Sequence, residues 1–204
     1  MSIIKKKIAI LDYGFGNIFK IKQAVEYNNF ECTLITDLKN INDYDALILP
    51  GVGSYPEGMR CLNKIKAKKI LTEFVKKKKL LGICLGMQLL LEKGEEIKLT
   101  KGLGLIPGKV VRFPKNIKPH VGWNKVFIYK KIKHQIQKKS NNFFYFTHQF
   151  MVKTKKKFEY GITRFSGIKF CSIIRNNNVY GVQFHPENSD ENGAKIIGHI
   201  LNDY

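Results

Sequence analysis

The stretch Gly82-Ile83-Cys84-Leu85-Gly86 places the tightest limit on what this chain can fold into. It follows the apolar pair Leu80-Leu81 and precedes a helix-like apolar run, Met87 to Leu91, so it reads as strand, sharp turn, helix. Small residues two before and two after Cys84 let the backbone turn tightly and hold that side chain above the end of a sheet. The amide of the next residue, Leu85, is then placed as an oxyanion donor. A cysteine in this position sits at the positive end of a helix, where thiolate is favoured over thiol. The competing reading is a buried structural cysteine; glycines on both sides at this spacing favour the nucleophile.

The rest of the first half repeats the pattern of apolar run and amphipathic helix. Lys7 to Leu11, Glu31 to Ile35, Ala46 to Leu49 and Leu80 to Ile83 read as strands. Asn17 to Asn28 carries Ile18, Ile21, Ala24 and Val25 at helical spacing, and Arg60 to Lys79 carries Ala67, Ile70, Leu71, Phe74 and Val75 on one face. That alternation predicts an α/β fold with a largely parallel central sheet covered by helices on both faces. From Lys109 onward the strand-like pieces are short: Lys109 to Arg112, Gly122 to Phe127, Phe143 to Phe146, Gly161 to Thr163, Phe170 to Ile174 and Val179 to Phe184. Asn176-Asn177-Asn178 is a natural hairpin turn between the last two, so additional antiparallel strands are expected here. A helix from Gly193 to Asn202 closes the chain. With no linker, repeat or low-complexity tract, residues 1–204 are expected to form a single domain.

A formal net charge of +20 raises the possibility of a nucleic-acid partner. Nearly all of the positive charge is lysine, however, and the only arginines are Arg60, Arg112, Arg164 and Arg175, whereas base readers rely on arginine's bidentate fork. Lys76 to Lys79 and Lys155 to Lys157 fall at a predicted helix end and in a turn, where lysine is a common solvated residue. Weak, salt-sensitive polyanion binding is expected and no specific nucleic-acid role. Cys32, Cys61, Cys84 and Cys171 have no paired or metal-ligand spacing and read as reduced thiols, with no metal or cofactor implied. The first apolar run meets Asp12 too early for a signal peptide or a membrane span, so a soluble, cytoplasmic protein is expected.

A cysteine nucleophile needs a base, and the histidines are His120, His134, His148, His185 and His199. His185 ends a strand-like run and precedes Pro186, which biases it toward an extended conformation. Glu187 is two positions on, and in an extended segment residues i and i+2 point the same way. A carboxylate beside an imidazole holds one ring nitrogen and leaves the other facing a thiol, the triad arrangement with cysteine in place of serine. A second oxyanion donor would come from Pro50-Gly51-Val52-Gly53, which follows the third strand; taken alone it reads equally as a plain turn. Gly14-Phe15-Gly16-Asn17 lacks the third glycine of a dinucleotide fingerprint, with Phe19 in its place, and implies no nucleotide. Trp123, isolated in a strand-rich region, reads as packing, part core and part rim. His148 beside an aromatic run reads as structural, and His134 and His199 support no functional argument.

Gly82-Ile83-Cys84-Leu85-Gly86-Met87-Gln88 together with Phe184-His185-Pro186-Glu187 resembles the class I, triad-type glutamine amidotransferases. Four more stretches are similar to one branch of that family, the glutaminase subunits of imidazole glycerol phosphate synthases in histidine biosynthesis. They are Asp12-Tyr13-Gly14-Phe15-Gly16-Asn17, Leu49-Pro50-Gly51-Val52-Gly53, Gly102-Leu103-Gly104-Leu105-Ile106-Pro107-Gly108 and Pro119-His120-Val121-Gly122-Trp123-Asn124. The resemblance runs from about Ile8 to the C-terminus.

It implies that Cys84 attacks the side-chain amide of glutamine, that His185 relays protons and that Glu187 orients His185. The Leu85 amide and the loop of Gly51, Val52 and Gly53 would stabilise the oxyanions. Gln88, Glu96, His148 and Gln149 would bind glutamine, with Glu96 meeting its ammonium. Asn17, Trp123 and Asn124 would face a partner, a barrel-type synthase (cyclase) subunit that forms a heterodimer and receives the ammonia. The chain departs from the family pattern at Gln149 and Phe150, where a small hydroxyl residue followed by tyrosine is usual, and around Ile18-Phe19-Lys20. An alternative within the same chemistry is a second-copy glutaminase that supplies ammonia for amidination of a bacterial surface sugar. Outside it stand a catalytically silent binding or regulatory module and a nucleic-acid-binding protein.

Overall fold

The structure is a computed structural model that describes residues 5–128 and 142–202; His134 lies outside them. In the first half, apolar runs bounded by turn residues alternate with helices. The order is Lys7–Leu11 (β1), Ile18–Glu26 (α1), Glu31–Ile35 (β2), Ala46–Leu49 (β3), Tyr55–Lys64 (α2), Ala67–Phe74 (α3), Lys79–Ile83 (β4) and Leu85–Leu89 (α4). The second half is mostly strand: Leu91–Gly94 (β5), Thr100–Lys101 (β6), Ile106–Arg112 (β7), His120–Ile128 (β8), Phe143–His148 (β9), Phe150–Lys153 (β10), Glu159–Phe165 (β11), Ile168–Asn176 (β12) and Val179–Val182 (β13), before the closing helix Asp190–Asn202 (α5).

These strands join in the order β2-β1-β3-β4-β13-β12-β10-β7-β5-β6, with β11 pairing β12 and β8, and β8 pairing β9. From β2 to β13 every pairing is parallel. Side chains alternate across this parallel part, because successive residues of a strand point to opposite faces. Ala9, Leu11, Leu47 and Leu49 pack with Met59 and Leu62 of α2 and Leu71 and Phe74 of α3. Ile8, Ile10, Ile48 and Leu81 pack on the other face with Ile21 and Val25 of α1 and Ile196, Ile197 and Ile200 of α5. Each fully buried aliphatic side chain of this kind is worth about 1.5–3 kcal/mol. Parallel strands all end at one edge, so the segments that follow β1, β3, β4 and β13 collect there, as ligand-binding loops do in open α/β sheets.

The α/β architecture with a mainly parallel sheet and antiparallel additions is the one expected, and the structure moves several boundaries. Residues 60–79 are not one helix. The chain breaks at Lys66, which adopts a left-handed conformation (φ 53°), so α2 begins early, at Tyr55, and α3 ends at Phe74. Lys79 belongs to β4. The helix after Cys84 stops at Leu89, and Leu91 already starts β5. Strands β5, β6 and β10 were not expected. The Asn177-Asn178 turn does join β12 and β13 as a hairpin, with Asn176 paired to Val179 and Asn177 at φ 52°, a conformation asparagine tolerates. No helix among the described residues is long and apolar enough to cross a membrane.

Candidate active site

Cys84 is held at φ 52° and ψ −107°, which a residue with a Cβ rarely adopts. Its amide donates to Val182 O of β13 at 2.8 Å, and its carbonyl accepts from Gln88 N of α4 at 3.2 Å. The glycines around it are there for space. A Cβ on Gly86 would overlap the Leu49 carbonyl, and one on Gly82 would fall 2.6 Å from the Gly86 backbone. A Cβ on Gly51 would meet Gly86 N and Leu85 Cβ at 2.7 Å. The turn after β4 and the loop after β3 are therefore pressed backbone to backbone. Tyr13 fixes that loop from the other side, its hydroxyl donating to Pro50 O at 2.7 Å. Burial, reinforced by Cys61 and Cys84, pushes the Tyr13 phenol well above its usual range, so it stays a neutral donor.

His185 arrives from β13. Its amide donates to Tyr145 O at 2.8 Å, and its carbonyl accepts from the Ser189 hydroxyl at 2.6 Å, while Ser189 Oγ accepts from Tyr145 N at 2.9 Å. Residues 186–188 form a 3-10 turn and do not continue the strand. Across that turn His185 Nδ1 lies 2.8 Å from Glu187 Oε1, with side chains only 3% and 2% exposed. Burial by itself lowers the pKa of an imidazole. Here negative charge on Cys84, together with Glu187, outweighs it, and His185 is pushed up to about 10. His185 Nε2 and Glu187 Oε2 are buried without a hydrogen-bond partner.

Cys84, Leu85, Gln88, Glu96, His148, Gln149, Val52, Gly53 and His185 line one cavity of about 210 Å³, together with Thr147 and Phe150. Val52 is 46% exposed at its rim. Gln88 Nε2 donates to Gln183 Oε1 at 3.1 Å and to Phe150 O at 3.3 Å. Gln183 Nε2 reaches Cys84 Sγ at 3.7 Å. Glu96 Oε2 accepts from Tyr55 N at 2.6 Å, so this carboxylate also caps α2, whose N-cap residue Ser54 makes no side-chain bond. Glu187 and Gly51 stand behind the cavity wall. Asn17, Trp123 and Asn124 do not line it: Asn17 caps α1 through Lys20 N at 3.3 Å, Trp123 is 49% exposed on β8, and Asn124 bonds His120 and Arg164 O. Gln183, Ser189, Tyr145 and Tyr13 support the site without having been singled out. Only Gln183 carried a signal, as a lone amide in the apolar run Val179 to Phe184.

Residues 9–201 match the family described as Glutamine amidotransferase class-I. The chain belongs to the class I glutamine amidotransferases. Among curated members of this enzyme family, the imidazole glycerol phosphate synthase subunit HisH of Caldanaerobacter subterraneus subsp. tengcongensis is 43% identical over 193 residues, covering 93% of this chain and 95% of that one. The subunit of the same name from Methanosarcina barkeri is 41% identical over 203 residues, covering 96% and 98%. Among solved structures, one titled as PurLQS from Thermotoga maritima superposes with a TM-score of 0.78 at 21% identity, covering 98% of this chain and 99% of that chain, which speaks to the amidotransferase fold alone.

Proposed function

We infer that this protein is the glutaminase subunit of an imidazole glycerol phosphate synthase, a single domain that hydrolyses L-glutamine at Cys84 and passes ammonia to a barrel-type synthase subunit in a cytoplasmic heterodimer. The observation that carries the chemistry is the convergence of Cys84 and His185 on one cavity, with Glu187 buried behind the imidazole.

Glutamine enters with its side-chain amide over Cys84. The sulfur attacks Cδ, forming a C–S bond and a tetrahedral oxyanion facing the Leu85 amide and the loop of Gly51 to Gly53. His185, protonated at Nε2, gives that proton to the amide nitrogen; the C–N bond breaks and ammonia leaves a thioester. Water then attacks the thioester carbon, losing a proton to His185 Nε2, and collapse of the second oxyanion releases glutamate and the sulfur. Glu187 holds Nδ1–H throughout and keeps Nε2 aimed at the cavity. Gln88 and Glu96, which line the same cavity, would read the amino-acid end of the substrate, where a carboxylate distinguishes free glutamine from a protein side chain. Curated relatives near 40% identity carry the synthase-subunit name, which favours the histidine pathway over surface-sugar amidination.

The deciding experiment is glutamine hydrolysis by the chain with its synthase subunit. Cys84→Ala should abolish ammonia release, and an electrophilic glutamine analogue should label Cys84 in the parent protein. Normal turnover by Cys84→Ala would rule out the mechanism.

A further inference from the structure

Two histidines that the triad does not use, His120 and His148, stand opposite each other where β8 pairs with β9. His120 Nδ1 lies 3.2 Å from His148 Nε2. His148 Nδ1 lies 2.7 Å from the Phe150 carbonyl oxygen, which can only accept, so Nδ1 carries the proton. In a neutral ring Nε2 is then an acceptor, and His120 donates to it from Nδ1. His120 Nε2 must in turn accept, and the Asn124 side-chain amide donates to it at 3.1 Å. Every link has one direction, from Asn124 through His120 and His148 to the Phe150 carbonyl.

The surroundings enforce that direction. His120 is stacked between Phe146 and Phe165, with ring centroids 4.5 and 4.1 Å away. Burial lowers His120 to about 4 and His148 to about 3, so both rings are neutral, as the sequence of donors requires. A second proton would set two N–H groups against each other. The receiving end is the bend from Thr147 to Phe150, which walls the Cys84 cavity. Gln149 O accepts from Phe113 N at 3.0 Å, and Phe150 O also accepts from Gln88 Nε2 at 3.3 Å.

We propose that His120 is a positioning residue: acting through His148, it fixes the Phe150 carbonyl and with it the wall of the glutamine pocket between β9 and β10. The kinetic consequence rests on the glutaminase reading of the Cys84 cavity; the direction of the relay does not.

His120→Phe keeps a ring between Phe146 and Phe165 and removes both nitrogens. In the complex with the synthase subunit, KM for glutamine should rise about tenfold while kcat stays within about threefold of the parent. His120→Gln, whose amide both donates and accepts, should recover part of the loss. Nitrogen NMR of the imidazoles on the full chain should show His148 protonated at Nδ1 in the parent and a mixture of tautomers in His120→Phe. An unchanged KM overturns the positioning role. A parent spectrum with His148 protonated at Nε2 overturns the relay, whether or not the variants fold. A parent chain that fails to hydrolyse glutamine while His148 keeps its Nδ1 proton counts against the glutaminase reading and leaves the relay standing.

Discussion

Glu187 Oε1 lies 2.8 Å from His185 Nδ1, both side chains almost closed to solvent, with Glu187 behind the imidazole that lines the Cys84 cavity. A carboxylate there does two things: it fixes the orientation that points Nε2 at the cavity, and it stabilises the imidazolium that faces the Cys84 sulfur before attack. Glu187→Gln preserves size but offers a neutral amide. We expect kcat for glutamine hydrolysis to fall by about 10³-fold or more, by analogy with triad carboxylate replacements. KM should change little, since Glu187 does not line the cavity. Steady-state kinetics with the synthase subunit present would show the split, and a kcat within tenfold of the parent would remove Glu187 from the proposed triad.

His185, raised by Cys84 first and by Glu187 after it, predicts a pH dependence of stability. His185 is raised in the folded protein to about 10, against an ordinary value near 6.5. A raised pKa means the folded state holds the proton more tightly. Its stabilisation is therefore complete below about pH 6.5 and is lost as pH climbs toward 10. Urea unfolding of the parent and of Glu187→Gln should show the smaller, Glu187 share of this stabilisation as a gap that is widest near pH 6.5 and narrows toward pH 10. A gap that stays constant across that window would contradict the charged-imidazole account.

Gly86 tests the elbow independently of chemistry. Its missing Cβ would run into the Leu49 carbonyl, a backbone atom that cannot swing aside, whereas Gly14 has φ 91° but open space around it. Gly86→Ala should destabilise by about 3 kcal/mol or more through overpacking. Gly14→Ala should lose only about 1–2 kcal/mol, the cost of a left-handed backbone. Denaturation midpoints for the two variants decide the order, and equal losses would mean the Gly86 contact relaxes.

Gln183 is fully buried between Gln88 and Cys84. Gln183→Met keeps volume but withdraws the acceptor from Gln88 Nε2, so a buried donor loses its better partner. The expected loss is about 1–3 kcal/mol of stability, with a rise in KM for glutamine as Gln88 becomes free to turn. An unchanged KM in a destabilised variant would make Gln183 a packing residue only.

How much of this could be read from the sequence depends on whether the cause was local. The elbow was local: glycines two before and two after Cys84 announce the turn, and Leu49's carbonyl supplies the reason. The hairpin at Asn177 was local as well. The break at Lys66 was hidden, since neither glycine nor proline marks it and the stripe of Ala67, Leu71 and Phe74, though correct, lies wholly beyond it. Gly58 is a poor helix former inside α2, yet a Cβ there would approach Leu89 Cδ1 to 3.0 Å; it is the close contact between α2 and α4. Leu89, Leu90 and Leu91 are all buried, so no periodicity separates the end of α4 from the start of β5. Likewise Ser189 and Tyr145 matter only because β9 lies beside the segment after β13, a relation no single stretch contains.

Glu96 joins a local role to a catalytic one, and two substitutions can separate them. Its Oε2 takes the Tyr55 amide at 2.6 Å at the start of α2, while the side chain also borders the Cys84 cavity. Glu96→Gln retains an oxygen for the Tyr55 amide but loses the charge, so stability should drop by no more than about 0.5 kcal/mol. KM for glutamine should nevertheless rise about tenfold as the substrate ammonium loses an ionic partner. Glu96→Ala removes both, adding the loss of the helix cap, about 1 kcal/mol. Unfolding curves and glutamine titrations on the two variants give four numbers. If Glu96→Gln leaves KM unchanged, the carboxylate serves α2 alone and the ammonium is met by some other group on the cavity wall.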